Sequence, residues 1–361
     1  MYMKIKLFDP HITKSEEKAV LKVLKSKYWA SGSGKGYVEK FENNFKKYVS
    51  SKSAIGVNNG TSALSLALST INLHNKEVIL PSMSFVSTAN CVIQNGGIPK
   101  FVDINPRTMC IDHEIIEKHL SKKTKVILPV HFGGFPAQLD KIKKICLDND
   151  LYLIEDAAHA AGTTFDQKKI GSHGDLVCFS FHPVKNLAMP TGGLITINSK
   201  NHKLIENELK IKRWCGISNR RNASYDVSLI GWNYYMNEFS AAIGLIQLKK
   251  LEKLNKKRFK IAKKFEQQIN LESKIPLDKQ CSYHLYWIRV SNQKTFRKNM
   301  NSVGIETGIH YRPIHTFSAY KNKIQLIETE KAAKQIVSIP IHPNLTDDDV
   351  DYIIKCINKF V

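Results

Sequence analysis

Two buried strands are predicted within residues 176–197, and they decide the fold: Leu176-Val177-Cys178-Phe179-Ser180-Phe181 and Leu194-Ile195-Thr196-Ile197. The loop between them, residues 182–193, contains Lys185. A lysine between two apolar strands is shielded from bulk water, and desolvation disfavours the charged ammonium. The neutral amine is a nucleophile, so Lys185 is a candidate to form a Schiff base. The chain is rich in lysine, and one lysine in a loop is weak support when taken alone.

A second apolar strand ends in an acid, in the stretch Leu151-Tyr152-Leu153-Ile154-Glu155-Asp156. In open α/β sheets, ligands bind beyond the carboxyl ends of the strands. Pyridoxal phosphate needs a carboxylate at its ring nitrogen if the ring is to accept electrons. Asp156, at the strand end and upstream of Lys185, suits that role.

Three segments resemble the signatures of the DegT/StrS-type nucleotide-sugar aminotransferases: Glu155-Asp156-Ala157-Ala158-His159-Ala160, Ser180-Phe181-His182-Pro183-Val184-Lys185-Asn186 and Gly231-Trp232-Asn233-Tyr234-Tyr235-Met236-Asn237-Glu238-Phe239. The resemblance runs in order from about Trp29 to the C-terminus. It implies a fold-type-I, pyridoxal phosphate-dependent α/β enzyme. That fold has a mostly parallel central sheet with helices on both faces, and a smaller C-terminal α+β domain.

The resemblance also implies the cofactor-binding residues. Lys185 would carry pyridoxal 5′-phosphate, Asp156 would hold its ring nitrogen, and His159 would lie near its 3-oxygen. The expected catalytic residues are therefore Lys185, Asp156 and His159. The further cofactor-binding residues implied are Gly60, Thr61, Ser62, Phe85, Ser180 and Asn233.

The segment Asn59-Gly60-Thr61-Ser62 has a physical reason to bind phosphate. It joins a short strand to a helix, and the unpaired amides and the dipole at a helix N-terminus both favour an anion. Any strand-to-helix turn needs a glycine and a cap, so the segment is weak support by itself. Phe85 would stack on the cofactor ring, although an aromatic residue here could equally belong to the core. Asn233 would reach the partner's cofactor phosphate across a homodimer with shared active sites.

Substrate-binding residues are implied in two segments. Trp29 and Ser31 match a segment that lines the family's substrate site, although extra glycines loosen the match. His310, Tyr311, Arg312 and His315 match a segment thought to meet the sugar nucleotide. The alternative is that His310 and His315 are only packing residues in a turn.

The function implied is transfer of an amino group, with glutamate as donor, to a nucleotide-diphospho-keto-sugar. Pyridoxamine 5′-phosphate would be the intermediate form of the cofactor, and the product an amino sugar for glycan biosynthesis. Residues 181–185 favour amination at the 4-position. Two alternatives are a sugar dehydratase that uses the same cofactor and a non-catalytic basic regulator. Relatives that deoxygenate sugars have histidine in place of the lysine, so Lys185 argues against the first alternative.

Two departures from the family pattern concern the surroundings of these residues. Residues 188–191, Ala-Met-Pro-Thr, stand in place of the usual Thr-Thr-Gly-Glu, and Tyr235 stands where an arginine is often found. Neither departure affects the lysine, the aspartate or the phosphate loop, so they bear on the identity of the substrate.

Length and composition set wider limits. A chain of 361 residues exceeds what one core usually serves, so we predict a large domain, 1–248, and a small domain, 249–361. The sequence contains no apolar run of membrane-spanning length and no signal-peptide core, which predicts a cytoplasmic protein that does not bind membranes. The seven cysteines show no metal-ligand spacing, so we expect neither a metal site nor disulfides.

The net charge of +22 could indicate an anionic partner. Lysine, isoleucine and asparagine are all frequent while arginine is scarce, which favours a compositional bias spread over solvated helix faces. Steering of a diphosphate substrate is the second interpretation. Nucleic acid binding is not expected, because no recognised binding motif accompanies the charge.

Periodicity predicts the remaining elements. Helices are predicted at residues 13–27, 37–48 and 236–248, and strands at 54–57, 77–80, 98–102, 125–130 and 152–155. Alternating strands and helices indicate a parallel sheet. Residues 214–222 are predicted to be a loop, residues 283–290 a half-buried antiparallel strand, and Thr346 the cap of a last helix.

Overall fold

The computed structural model describes residues 5–221, 223–320 and 324–361. The helices in these residues are α1 (Lys14–Ser26), α2 (Tyr37–Val49), α3 (Gly60–Leu68), α4 (Ser87–Gln94), α5 (His113–His119), α6 (Leu139–Asp148), α7 (His202–Arg213), α8 (Glu238–Gln268), α9 (Gln293–Ser302), α10 (Ile327–Gln335) and α11 (Asp347–Phe360). The strands are β1 (Ser53–Val57), β2 (Glu77–Pro81), β3 (Ile98–Val102), β4 (Thr124–Ile127), β5 (Tyr152–Asp156), β6 (Thr164–Phe165), β7 (Lys168–Lys169), β8 (Leu176–Ser180), β9 (Gly193–Ile197), β10 (Ile217–Arg221), β11 (Ser224–Val227), β12 (Tyr286–Arg289) and β13 (Ile336–Ile339). Among the described helices, none has both the length and the apolar character needed to cross a membrane.

The central sheet has the strand order β1-β9-β8-β5-β4-β2-β3. Strands β3, β2, β4, β5 and β8 run parallel to one another, whereas β9 is antiparallel to both β8 and β1. The predicted mostly parallel sheet is confirmed. A parallel sheet is buried on both faces, which is why its strands are continuous apolar runs in the sequence.

Successive residues of each strand enter cores on opposite faces of the sheet. Val78 and Leu80 pack in one hydrophobic cluster with residues of α3 and α4, whereas Ile79 packs in another with residues of α5 and α6. This alternation follows from the two-residue repeat of a strand. The predicted arrangement of helices on both faces is therefore confirmed.

Helix α8 is much longer than the sequence pattern predicted. It begins after Asn237, whose side chain accepts a hydrogen bond from the Ser240 amide, and continues for 31 residues to Gln268. The domain boundary predicted after residue 248 falls inside this helix. Residues of β12, β13 and α11 share a core cluster with residues of β2 and β4. The division into two domains stays a prediction.

Two local predictions were wrong. Residues 217–221 and 224–227 form the paired strands β10 and β11, whereas residues 214–222 were predicted to be a loop, and most side chains of the two strands are exposed. An exposed ribbon buries neither face, so it has no alternating apolar signal. Strand β12 pairs antiparallel with β13 as expected, but Tyr286, Trp287 and Ile288 are all buried, so the strand is not half-buried. The predicted cap at Thr346 is confirmed, because its side chain accepts a hydrogen bond from the Asp349 amide at 3.1 Å.

A buried ion pair joins the large sheet to its flanking helices. Arg213, at the end of α7, donates to the Glu42 carboxylate at 2.6 Å and to the Gly56 carbonyl at 2.9 Å. The same Glu42 carboxylate accepts a hydrogen bond from the Gly56 amide at 2.7 Å. Burial raises the pKa of Glu42, and the charge of Arg213 opposes that shift. The ion pair therefore links α2, β1 and α7, and each buried charge compensates the other.

We expect Arg213→Met to lower the free energy of unfolding by about 3 to 5 kcal/mol, because it leaves the Glu42 carboxylate buried and uncompensated. Adding Glu42→Leu should recover part of this loss, and denaturant melts of both variants at pH 7 would measure it. Lys144→Met removes one partner of the exposed Lys144–Asp148 pair and should have no measurable effect. A loss below about 1 kcal/mol for Arg213→Met would contradict the role of the pair.

Candidate active site

A cavity of about 460 Å³ opens at the carboxyl ends of β5 and β8. It lies where parallel open sheets place their ligands. The structure brings together in its lining the following residues predicted from the sequence: Gly60, Thr61, Phe85, Asp156, His159, Ser180, Lys185, His310 and Tyr311.

Asp156 is the last residue of β5 and is buried at the base of the cavity. Its two oxygens accept hydrogen bonds from the Thr88 hydroxyl at 2.8 Å and the Ala158 amide at 3.1 Å. Burial raises the pKa of Asp156, while these two donors and the charge of Lys185 oppose the shift. The carboxylate is thus held in place, and a cation that enters the cavity would stabilise its ionised form.

Lys185 lies in the loop between β8 and β9. Burial lowers the pKa of its ammonium to about 8, although the charge of Asp156 acts in the opposite direction. Asn186 fixes the loop, because its side-chain amide nitrogen donates hydrogen bonds to the Ser282 carbonyl at 2.8 Å and to Oδ1 of Asn255 at 3.0 Å. The Lys185 Nζ lies 3.4 Å from Nε2 of His284. An amine with this pKa is partly neutral near pH 8, so it can act as a nucleophile and as a base.

His159 is held in one tautomer. The Gly133 amide donates to its Nδ1 at 3.2 Å, so the proton of the neutral ring is on Nε2, which lies 3.0 Å from the Tyr311 hydroxyl. Burial and then the charge of Lys185 keep the pKa of His159 well below its ordinary value. His159 is therefore a neutral hydrogen-bond donor toward Tyr311.

The other end of the cavity is the N-terminus of α3. The Asn59 side chain accepts the Ser62 amide at 2.8 Å, whereas Gly60 and Thr61 occupy the first helical positions, whose amides have no partner within a helix. A side chain at Gly60 would place its Cβ 2.7 Å from Cβ of Ser180, so only glycine allows this close approach. The result is an anion cradle made of backbone amides. Ser62 is buried and lies outside the cavity lining.

Pyridoxal phosphate fits this set of groups. Phe85 lines the cavity with 55% of its surface exposed, which leaves a ring face free to stack on a planar ligand. The cradle of Gly60 and Thr61 suits a phosphate, and Asp156 and Lys185 suit a ring nitrogen and an aldehyde carbon. No group of three or more metal-ligating side chains occurs in the part of the chain that the structure describes.

The remaining predicted residues lie outside this lining. Trp29 is exposed and lies near Phe239, with 6.1 Å between the ring centroids. The hydroxyl groups of Ser31 and Ser33 are hydrogen-bonded to each other at 2.6 Å. Asn233 is exposed on the surface of its own chain.

Arg312 and His315 are also outside the lining, in different surroundings. Arg312 is exposed, and its guanidinium donates a hydrogen bond to the Thr316 carbonyl at 2.7 Å. The guanidinium carbon lies over the Phe317 ring, 4.5 Å from the ring centroid. His315 is buried and bonds the Ser82 hydroxyl at 2.7 Å. Its position favours the packing role that the sequence left open.

Two residues of the site were missed by the sequence reasoning. Thr88 anchors Asp156, and its hydroxyl is bonded by Ser84 at 2.8 Å. His284 contacts Lys185 and is buried between Phe8 and His159, whose ring centroids lie 5.6 and 4.5 Å away. The signal for His284 was a polar residue within an otherwise apolar strand pattern.

Comparisons with known proteins agree with this geometry. Residues 10–358 match the model of the DegT/DnrJ/EryC1/StrS aminotransferase family. The chain is 34% identical to the spore coat polysaccharide biosynthesis protein SpsC of Bacillus subtilis (strain 168), over 98% of this chain and 96% of that protein. It is 30% identical to GDP-perosamine synthase of Vibrio cholerae, over 99% of both chains.

A solved structure is similar as well. The putative sugar aminotransferase Spr1654 from Streptococcus pneumoniae, in its pyridoxamine phosphate form, superimposes with a TM-score of 0.93. The two chains are 25% identical, and the match covers 99% of this chain and 97% of the other. The similarity therefore extends over the whole of the fold that surrounds the cavity.

The amine of Lys185 should react with an aldehyde reporter half-maximally near pH 8 instead of near 10.5, because burial lowers its pKa. Asp156→Asn should move this midpoint to still lower pH, since the carboxylate favours the ammonium. Peptide mass spectrometry of cofactor-free protein, labelled across a pH series, would measure both midpoints, with Lys185→Arg as the unreactive control. An unchanged midpoint in Asp156→Asn would show that the two groups do not interact.

Proposed function

The chain belongs to the DegT/DnrJ/EryC1/StrS aminotransferase family, and we propose that it transfers an amino group from L-glutamate to the keto carbon of a nucleotide-diphospho-sugar. It is a sugar aminotransferase that uses pyridoxal 5′-phosphate, with pyridoxamine 5′-phosphate as the aminated form. The observation that carries the proposal is the meeting of Lys185, Asp156 and the N-terminus of α3 in one cavity. The names of SpsC and GDP-perosamine synthase support a nucleotide-linked amino sugar for polysaccharide synthesis as the product.

Asp156 is placed to keep the cofactor's ring nitrogen protonated. Bound pyridoxal phosphate supplies an electron sink for negative charge that forms at the substrate carbon. The Asp156 carboxylate keeps both its hydrogen bonds to Thr88 and Ala158 while facing the cavity. A protonated ring nitrogen would supply the positive charge that a buried carboxylate needs.

Lys185 is the proton carrier in this proposal. Its pKa of about 8 lets the amine both accept and release a proton near neutral pH. His284 Nε2, 3.4 Å from the Lys185 Nζ, can accept a hydrogen bond from the ammonium and so hold it in the cavity. Burial first, and then the charge of Lys185, keep the pKa of His284 well below its ordinary value, so the imidazole does not compete for the proton.

The sugar would bind beside His310 and Tyr311, which line the cavity. The Tyr311 hydroxyl, fixed by His159, offers a hydrogen-bonding group to the sugar. Arg312 is exposed and can meet the diphosphate, and the net charge of +22 would assist its approach. Residues 181–185, within which His182 and Val184 line the cavity, support the 4-keto sugar.

Neither alternative function gains support from an observation. A dehydratase of this family would have histidine at the position of Lys185. A regulator without catalytic activity has no physical need for a desolvated lysine that faces a buried aspartate. Burying such groups costs stability, and a bound cofactor would offset part of that cost.

We also propose a homodimer with shared active sites. Asn233 is exposed and does not line the cavity of its own chain, so it can contact a partner. The chain also exposes several large apolar side chains: Ile12, Leu21, Leu24 and Trp29 are each about half exposed or more, and Ile230, three residues from Asn233, is 86% exposed. Clustered apolar exposure marks protein interfaces.

The proposed compartment is the cytoplasm. The seven cysteines are free thiols in the structure, and six of them are buried, as expected in a reducing environment. The proposed domains remain 1–248, which holds the cofactor site, and 249–361.

Glutamate and a panel of nucleotide-linked 4-keto and 3-keto sugars should give amino transfer to one nucleotide sugar with efficiency at least about 100-fold above the rest. Arg312→Ala should raise the KM for this sugar more than it lowers kcat, because a diphosphate contact acts equally in the ground and transition states. Lys294→Ala, on the exposed face of α9, is the matched loss of one positive charge and should leave KM unchanged. Free keto acids that react as well as any nucleotide sugar would contradict the proposed substrate class.

Mixed dimers test the shared site. In a dimer of Asn233→Ala with Lys185→Ala, one site carries both changes and the other carries neither, so about half of the wild-type activity should return. The Asn233→Ala homodimer should retain its cofactor about 5- to 150-fold more weakly, the usual result of losing a hydrogen bond to a charged group. The two parents, assayed separately before subunit exchange, are the control. Activity that is not regained after exchange would show that each site is complete within one chain.

A further inference from the structure

Thr191 contacts the turn that precedes α3. It lies near the end of the lysine loop, residues 181–192, which joins β8 to β9 and carries Lys185. The Thr191 hydroxyl donates a hydrogen bond to the Asn58 carbonyl. The Asn58 amide donates to the Tyr234 carbonyl at 2.7 Å. The backbone of Asn58 is therefore held at both its donor and its acceptor, one residue before the cap of α3.

The next peptide of the turn is held by close packing. A Cβ placed on Gly193 would lie 2.3 Å from the Asn59 carbonyl oxygen and 2.9 Å from the Gly60 nitrogen. Gly193 is the first residue of β9, where it pairs with Val57 of β1 and with Ser180 of β8. The lysine loop thus continues directly into the backbone against which the peptide between Asn59 and Gly60 packs.

The orientation of these peptides decides how well the turn binds an anion. A peptide unit is planar, so a fixed carbonyl also fixes the amide at the other end of the same unit. The amides of Gly60 and Thr61, at the N-terminus of α3, are the donors that suit the cofactor's phosphate. Donors that already point at one place lose less entropy when a ligand binds. A contact that fixes the peptides before Gly60 should therefore strengthen phosphate binding without touching the phosphate.

Thr191 supports the turn from outside the cofactor cavity, because it is not among the residues that line this cavity. The family pattern usually has glutamate at this position. An ionised carboxylate only accepts hydrogen bonds, so it could not donate to the Asn58 carbonyl as the threonine hydroxyl does. The departure from the family pattern at Thr191 thus supplies a donor to the turn.

We propose that Thr191 is a positioning residue for the cofactor's phosphate. It fixes the turn at Asn58, so that the amides of Gly60 and Thr61 point at one anion. The proposal rests on the function proposed above, in which this turn binds the phosphate of pyridoxal 5′-phosphate. It also links the two anchors of the cofactor, because the loop that carries Lys185 supports the phosphate turn as well.

Titrations of the cofactor-free enzyme test the proposal, and they use no sugar. Thr191→Val removes the hydroxyl and nearly keeps the shape of the side chain. It should weaken the binding of pyridoxal 5′-phosphate about 3- to 10-fold, the usual range for the loss of one hydrogen bond. It should leave the affinity for pyridoxal, which lacks the phosphate, unchanged. The change in absorbance on binding measures both affinities. Inorganic phosphate, used as a competitor of pyridoxal 5′-phosphate, should also bind more weakly to the variant.

Two control variants assign the effect to the hydroxyl of Thr191. Thr191→Ser keeps a hydroxyl and should bind pyridoxal 5′-phosphate as the wild type does. Thr70→Val removes a hydroxyl that donates to the Ala67 carbonyl at 2.8 Å, just beyond the C-terminus of α3, and should also bind like the wild type. Thr70 and Thr191 are both partly buried, so the two valine variants are matched in their surroundings.

An equal loss of affinity for pyridoxal would place the effect of Thr191→Val on the lysine loop or on folding, and would overturn the proposal. Unchanged binding of both ligands would overturn it as well. A wild-type enzyme that binds pyridoxal as tightly as pyridoxal 5′-phosphate would contradict the phosphate site itself, and with it the role of Thr191. If Thr191→Val does not fold, Thr191→Ala makes the same comparison.

Discussion

The burial of an ammonium and a carboxylate around one cavity is the constraint on which the rest of the structure depends. Burial drives the pKa of Lys185 down to about 8 and that of Asp156 up, and each charge opposes the shift of the other. The sheet places them together, because β5 and β8 are paired neighbours and Asp156 lies opposite Cys178 in their register. A parallel pair whose strands end at the same edge is thus the frame for the acid and for the loop with the lysine.

The loop between β8 and β9 must be rigid for this pairing to persist. Its ends are joined where the Phe181 amide donates to the Gly192 carbonyl at 2.8 Å, and Asn186 anchors its middle. The departure from the family pattern in residues 188–191 is accommodated by packing. Met189 is buried, and its Cε occupies the space beside Gly244 of α8, 2.1 Å from where a Cβ of that residue would lie. Thr191 donates to the Asn58 carbonyl and ties the loop to the cofactor-phosphate turn.

The elements that could be predicted from the sequence are those that leave a pattern in neighbouring residues. Buried strands appear as apolar runs, so the central sheet was predicted nearly strand by strand, and Asp156 and Lys185 were found because each lies next to such a run. The contacts that tune these groups join residues far apart in the chain: Thr88 is 68 residues from Asp156, and His284 is 99 residues from Lys185. No periodicity reports such pairs. The exposed hairpin of β10 and β11 was missed for the opposite reason, since nothing in it is buried.

The two ends of the cavity differ in how completely one chain builds them. At the cofactor end, Asp156, His159 and Tyr311 are fixed by hydrogen bonds within the chain. At the substrate end, the expected residues Trp29 and Arg312 are both exposed, and neither lines the cavity. Ile12, Leu21 and Leu24, near Trp29 in the chain, are exposed as well. If a second copy covers this surface, then the contacts that form the dimer also complete the sugar site. Substitutions at the interface would then alter substrate choice, and a substitution of Asn233 would also weaken the binding of the cofactor.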